Sequence, residues 1–401
     1  MFLILAFLAV QTEISPDKLS LSGAFEKALL KNERLLQSKE DISAQRGLAK
    51  LSLTGLLPTL EGGGRISEQI GFSAGLRVPL INVSGVLATS SAFKQLKSVE
   101  ATYERQRDTL LLQVAEAYLS VLTEQQLLEL SKTQYETSKK QLESASRKAA
   151  LQEISTLDLK RAQLLAAKTQ VDISNREASF QAALGLLADF LGENKKFRLE
   201  DFPEILALEE QEVSKLIAQA KEHRFDLKAQ SISIQAAFLG EQSAKWLFMP
   251  TLHFGTNLVQ PLEKAHEFEF RFDISVPLFD GYARYGLLET TRAKLRQEKF
   301  KKHLLEREIA LQVQGALVDI ARRKQVYEIQ QELVQISHAA HKSAENRYNL
   351  GQATSLDLLD EQTRLFEAQK DLREAKFLLQ QSRLNLSYIS GDPRLGIAKN
   401  G

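Results

Sequence analysis

Proline is placed so unevenly that it dictates most of what this chain can fold into. The sequence holds eight prolines, yet none falls between Pro79 and Pro203 or between Pro277 and Pro393. Both gaps are rich in Ala, Leu, Glu, Gln, Lys and Arg, the residues that lose least on entering a helix. Interior proline removes a helical hydrogen bond and clashes with the preceding turn, so these gaps leave room for very long helices. Val326, Ile329, Leu333, Ile336 and Ala340 step by 3, 4, 3 and 4, a coiled-coil spacing with charged residues between them.

Each helical region carries one interruption. In the second it is Tyr348-Asn-Leu-Gly351-Gln-Ala-Thr354-Ser-Leu-Asp357. Gly351 predicts a left-handed C-terminal cap, and Thr354 with Asp357 predicts a capping box in which Asp replaces the usual Glu or Gln. The first region has Leu151-Gln-Glu-Ile-Ser155-Thr-Leu-Asp158, with the same Ser-x-x-Asp helix start. Each region therefore reads as an antiparallel helical hairpin. One arm covers about 82–150 or 281–349, roughly 100 Å at 1.5 Å per residue. The return arms, about 154–190 and 354–390, are half as long. Two further helices, about 19–57 and 213–248, precede the hairpins. A short helix stacked end to end on a return arm would match one long arm.

The chain is also two copies of one unit. Asn32-Glu-Arg-Leu35 aligns with Arg224-Phe-Asp-Leu227, and Pro58-Thr-Leu60 with Pro250-Thr-Leu252, both 192 residues apart. Val78-Pro-Leu80 aligns with Val276-Pro-Leu278 at 198, and Leu157-Asp158 with Leu356-Asp357 at 199. The step in offset places six extra residues between the strands of the second copy. The expected organisation is an N-terminal segment 1–18, a first repeat 19–200, a second repeat 201–391 and a tail 392–401.

Between each leading helix and each long hairpin lies a β-hairpin, about 59–79 and 251–277. In Glu267-Phe-Glu-Phe-Arg-Phe-Asp-Ile-Ser-Val276 the apolar residues take one face and the polar ones the other, over a length that spans a membrane barrel wall. Leu252, Phe254, Thr256 and Leu258 alternate similarly, as do Phe72, Ala74, Leu76 and Val78. Thr59 to Ile66 is diluted by Gly62-Gly-Gly64. With the helices committed to one another, these apolar faces have nothing to cover. Four strands cannot close a barrel, and open edges cannot face lipid. Three protomers would supply twelve strands, with lipid outside and water inside. The expected fold class is mainly α with a membrane β-barrel.

Several functions are excluded or disfavoured by composition. The 52 Lys+Arg residues balance 51 Asp+Glu, which gives no support for nucleic-acid binding. There is no cysteine, so no thiolate site, disulfide or lipidated N-terminus is expected. His338 and His341 sit three apart without an evident carboxylate partner and read as surface. No nucleophile, base and orienting partner come together, so no enzyme and no cofactor are expected. The apolar run Phe2 to Val10 suits the core of an export signal, although no Lys or Arg precedes it.

Taken together, the duplicated unit, the Leu-Leu-Pro-Thr-Leu and Phe-Met-Pro-Thr-Leu lead-ins, Val-Pro-Leu-Phe-Asp-Gly-Tyr-Ala-Arg-Tyr-Gly after the second hairpin and the tip around Gly351 resemble the TolC-like outer-membrane efflux protein family. The similarity spans roughly residues 19 to 391. It implies a homotrimer in outer-membrane lipid, with a twelve-stranded barrel and a twelve-helix periplasmic tunnel. It also implies docking to a periplasmic adaptor, which links the channel to an inner-membrane pump or ABC transporter. Cargo would be drugs, metals, small molecules or, in type I secretion, proteins. By the same resemblance, Asp357, Asp360, Asp158 and Arg161 belong to the periplasmic entrance, and Arg347, Tyr348, Gly351, Thr354 and Ser155 to an adaptor-contacting tip. Two departures stand out. Gln152 replaces glycine in the first tip, which leaves its turn and adaptor contact open, and Arg161 stands at the position of Asp360, where an ion pair between tips becomes possible. A soluble coiled-coil scaffold capped by a small sheet is the competing expectation.

Overall fold

The computed structural model describes residues 18–66, 70–193, 198–205, 207–261 and 267–392; the apolar run at residues 2–10 lies outside them. Its dominant elements are two helices of matched length. Helix α3, Val83–Ala150, has 68 residues and α7, Ala283–Asn349, has 67, so each is roughly 100 Å long. Each is followed by a return helix, α4 (Thr156–Leu191) and α8 (Ser355–Ile389). No helix is long and apolar enough to cross a membrane, among the described residues.

The leading helices differ from the sequence expectation. Instead of one helix each, they are broken pairs: α1 (Leu21–Lys31) with α2 (Glu33–Leu51), and α5 (Val213–His223) with α6 (Phe225–Trp246). The breaks fall on Asn32 and Arg224, the repeat anchors, whose ψ angles of 117° and 124° are extended. Asn32 is a built helix start, since its side chain accepts from Leu35 N at 3.2 Å. Arg224 is held by tertiary contacts. It is buried, pairs with Asp226 at 2.6 Å and donates to Gln312 Oε1 at 2.8 Å. Burial pushes the Asp226 carboxyl up, but the Arg224 hydrogen bond and charge, with Arg105 beyond, outweigh it and hold the group below its ordinary range.

These breaks are where the return helices end. Asn32 Nδ2 donates to Phe190 O at 3.1 Å and Arg224 Nη1 to Ile389 O at 3.5 Å. Thus α2 continues the line of α4, and α6 continues that of α8. Packing follows one sequence at each level: α4 on α3, α3 on α8, α8 on α7 below, and α2 on α3, α3 on α6, α6 on α7 above. The α3–α6 seam is built from small residues seven apart. Ser84, Ser91 and Ser98 donate to the carbonyls of Ser243, Ala236 and Ala229 at 3.0, 2.7 and 3.0 Å.

The apolar core is itself duplicated at the middle of the long helices. Leu110, Val114, Ala117 and Val121 are buried beneath α1, and Ile309, Val313, Ala316 and Ile320, each 199 residues later, beneath α5. In the first core Tyr118 is fully buried, and its hydroxyl meets Leu19 O and Glu200 O, each at 2.7 Å. It thereby fixes the short parallel pair β1 (Lys18–Leu19) and β4 (Arg198–Leu199) against α3.

Beyond the upper ends of the helices stands one antiparallel sheet of four strands: β2 (Thr59–Ile66), β3 (Ile70–Ile81), β5 (Thr251–Pro261) and β6 (Glu267–Ser275), in that order. At 11 residues β5 outruns the 8 of its counterpart β2, so part of the insertion in the second copy lengthens a strand. Register places like with like. Leu60 faces Leu76, Leu76 faces Thr256 and Thr256 faces Phe270, while Val78, Phe254 and Phe272 form another row. Directly paired residues point the same way, so the apolar side chains share one face of the whole sheet. On it Phe254 packs against Phe272 at 5.2 Å and Phe270 at 6.3 Å. The other face carries Glu61, Ser73, Arg77, Asn257, Glu269, Arg271 and Asp273, with Arg271 and Asp273 paired at 3.0 Å.

Candidate functional site at the helical tips

Where α3 turns into α4 and α7 into α8, the two tips share one backbone design. In the second, Gly351 N donates to Tyr348 O at 3.0 Å and Gln352 N to Arg347 O at 2.7 Å; in the first, Gln152 N and Glu153 N repeat these bonds to Ala149 O and Lys148 O at 3.0 and 2.9 Å. Gly351 has φ +70°, and Gln152 adopts φ +57° without being glycine. The glycine departure therefore does not change the turn; it adds strain to it. Gly351→Ala is expected to weaken the second tip by about 1 kcal/mol, and Gln152→Gly to strengthen the first by up to about 1 kcal/mol. Amide exchange at each tip measures both, faster in the first variant and slower in the second.

Both return helices start on a side-chain cap. Thr354 Oγ1 accepts from Asp357 N at 3.2 Å, and the Asp357 carboxylate accepts from Thr354 N at 2.8 Å, a complete capping box with Asp. The Thr354 N–H first, and next the Thr354 hydroxyl, which donates to the same carboxylate at 2.8 Å, hold the Asp357 carboxyl below its ordinary value. At the first tip Ser155 Oγ accepts from Asp158 N at 3.1 Å and donates to Asp158 Oδ2 at 2.7 Å. That hydroxyl, with Ser355 and Arg161 behind it, lowers the Asp158 carboxyl in the same way.

The two tips touch. Ser355 Oγ donates to Asp158 Oδ1 at 3.1 Å, and Lys148 Nζ donates to Tyr348 Oη at 3.2 Å, its ammonium 4.9 Å from the ring centre. Arg161 does not reach across within the chain. It pairs with Asp158 of its own helix at 3.4 Å, three residues back. Arg347 reaches only Gln352 O, at 3.4 Å, and Asp360 is exposed with no polar partner among the described residues. The first tip is thus locally neutralised and the second keeps an uncompensated acid.

Lys148, Ser355 and four leucines belong to the tips and were not named as site residues from the sequence. Leu151 with Leu350, and Leu157 with Leu356, are exposed pairs 199 residues apart. The repeat offset was the signal that could have found them, since Lys148 also sits at the position of Arg347. Elsewhere, no cluster of His, Cys, Asp and Glu suited to a metal occurs among the described residues.

The same architecture occurs in known proteins. The outer membrane efflux protein family matches residues 24–193 and 216–392. Among solved structures, CusC superposes with a TM-score of 0.83 at 17% identity, over 92% of each chain. The outer membrane protein VceC from Vibrio cholerae superposes at 0.80 and 17% identity, over 92% of this chain and 96% of that one. The open state of the outer membrane channel MtrE of Neisseria gonorrhoeae gives 0.75 and 18%, over 94% and 88%. At such identities the likeness is one of fold. A comparison with curated proteins gives no match.

Proposed function

The chain belongs to the outer membrane efflux protein family, and from that membership we propose that three copies form a continuous duct from the periplasm to the exterior. An inner-membrane pump or ABC transporter would feed the duct through a periplasmic adaptor seated on the tips. Residues 19–200 and 201–391 are its two structural repeats, and it moves cargo without chemistry of its own.

The observation that carries this reading is that the protomer is open at matching edges on every level. In the sheet, β2 and β6 are each paired on one side only among the described residues. With four strands in antiparallel order, these edges run in opposite directions, so β6 of one copy can pair with β2 of the next. Repeating that contact around a three-fold axis yields a twelve-stranded barrel with no edge, lipid on its apolar face and water on its charged face. The helices repeat the logic, since α7 ends the row on one side and α4 or α2 on the other. Leu157, Leu164 and Val171, seven apart on α4, are exposed, and so are Val326, Ile329, Leu333 and Ile336 on α7. The heptad face read from the sequence is therefore not covered by the chain's own helices. It is a seam awaiting the α4 of a neighbour.

Cysteine cross-linking tests this order. Val171 and Ile336 lie at one height, because Ser138 faces Thr169 at 2.8 Å and Ser337 is the repeat counterpart of Ser138. Val171→Cys with Ile336→Cys is expected to give disulfide-linked dimers and trimers in membranes. A bond formed only within single chains, or none in trimers, contradicts the proposed order.

At the entrance, Asp158 and Tyr348 tie the two hairpins of one protomer together, while Asp357 and Asp360 project acid into the opening and favour cations. Thr354, Ser155, Gly351 and Arg347 shape the surface offered to the adaptor. Which cargo passes is set by the pump, so small-molecule efflux and type I secretion share this geometry.

A further inference from the structure

Between the sheet and the first core, three helices frame a cavity of about 580 Å³, a volume suited to a small ligand. Helix α2 contributes residues from Lys39 to Arg46, α3 from Lys97 to Glu104 and α6 from Phe225 to Ile232. Tyr103 lines the cavity and also packs against the first core. The cavity therefore opens on the face of α3 that α1 covers lower down.

Its charges are unusual for this body. Lys39, Arg46, Lys97 and Lys228 all line it, and none forms an ion pair among the described residues. Cations elsewhere are matched, as Lys245 and Arg292 are by Glu241 at 3.0 and 3.4 Å. The floor is apolar and half-buried, made by Tyr103 and Phe225 with Ile42 and Ile232. Lys228 Nζ stands 5.6 Å from the centre of the Phe225 ring. Acceptors complete the lining. Glu100 is exposed and unpaired among the described residues, and Ser43 spends its proton on Lys39 O at 3.4 Å, leaving its lone pairs open. The duplicated fold does not impose this set. Lys39 and Arg46 correspond to Ser231 and Phe238, 192 residues on, and Glu100 to Lys299, 199 residues on.

Each part of the lining selects a part of the ligand. Unpaired cations favour an anion, and two aromatic rings favour a ring with an apolar face. Glu100 and Ser43 accept from hydroxyls, and the carboxylate of Glu100 repels a strongly acidic peptide. A sugar ring that carries a carboxylate meets all three demands. We propose that this cavity binds a carboxylated sugar on the outer wall of the duct, with Lys39, Arg46, Lys97 and Lys228 around the carboxylate and Tyr103 and Phe225 under the ring. The cavity lies within one protomer. Only its placement outside the bore rests on the duct reading, in which a second layer such as α1 has room outside the ring of helices alone.

Calorimetric titration of purified trimers tests the site. The probes are N-acetylglucosaminyl-N-acetylmuramic acid and diacetylchitobiose, a neutral disaccharide that lacks only the lactyl carboxylate group. The acid is expected to bind saturably and the neutral sugar about tenfold or more weakly, with a similar loss for the acid in Lys97→Gln with Lys228→Gln. That variant should still form trimers and conduct. No saturable binding of the acid, equal affinity for the neutral sugar, or an unchanged affinity in the variant would each overturn the site. The acid should leave single-channel current unaltered; a block would put the cavity in the bore and overturn its outer placement. Trimers that bind the acid but never conduct would overturn the duct and leave the site standing. Co-sedimentation with insoluble glycan strands stripped of peptide separates the sources. Pelleting that the disaccharide competes away identifies a cell-wall strand as the ligand, and binding of the disaccharide alone identifies a free sugar acid; both support the site.

Discussion

Phe270→Arg is expected to abolish stable assembly in the membrane. Phe270 lies near the middle of β6, 67% exposed, with Phe268 at 5.7 Å along the strand and Phe254 at 6.3 Å across it. If this face meets lipid, an arginine near the bilayer midplane costs about 2–4 kcal/mol per copy. Three copies in one barrel make that about 6–12 kcal/mol, enough to lower the inserted population by four or more orders of magnitude at about 1.4 kcal/mol per tenfold. The adjacent residue supplies the control. Glu269 lies on the opposite face, so Glu269→Arg introduces the same side chain and should leave insertion intact while changing ion selectivity. Flotation with vesicles and recovery of trimers measure both. Equal insertion of the two variants would show that the phenylalanine face does not meet lipid.

Tyr118→Ala is expected to be the most destabilising truncation in the helical body. The side chain is fully buried in the first core, edge-on to Phe202 at 6.1 Å, and its removal leaves a large cavity costing about 3–5 kcal/mol. It also strips Leu19 O and Glu200 O of a shared donor. Tyr118→Phe separates the two effects, costing about 1–2 kcal/mol for the hydroxyl alone, because Leu19 O keeps the Glu200 N–H at 3.1 Å. Burial pushes the phenol up to about 12, so the hydroxyl keeps its proton and donates at neutral pH. Chemical denaturation midpoints should fall in the order wild type, Tyr118→Phe, Tyr118→Ala. The second repeat has the half-buried Leu317 at this position, and Leu317→Ala should cost less.

What was legible in the sequence was local or repeated. The two long arms follow from proline's absence, and the second tip follows from Gly351, Thr354 and Asp357, whose preferences act within a few residues. The apolar face of β6 follows from strict alternation. The breaks at Asn32 and Arg224 were not legible, because neither position carries proline or glycine. At Arg224 the break is held by Gln312 and Ile389 O, groups far away in sequence. The contacts between tips escaped for the same reason, since Lys148–Tyr348 and Asp158–Ser355 each join residues about 200 apart. Arg161 illustrates the limit from the other side. Its position suggested a reach between tips, but a carboxylate three residues away on the same helix is nearer and takes it.

The coiled-coil spacing of α7 was read from the sequence as support for a long helix, and the structure leaves part of that apolar row exposed. Val326 to Ile336 remain open because α6 and α8 pack on other faces of α7. That single mismatch between an apolar heptad and its lack of cover joins the sequence pattern to the assembly proposed for it.

The measurement that bears most directly on the duct is single-channel current from purified, detergent-extracted trimers in a planar bilayer, with and without Asp357→Ala and Asp360→Ala. The account predicts discrete cation-selective openings of low conductance, and a higher conductance with weaker cation preference once the two carboxylates are gone. Inserted trimers that pass no ions with either native or substituted tips would contradict it.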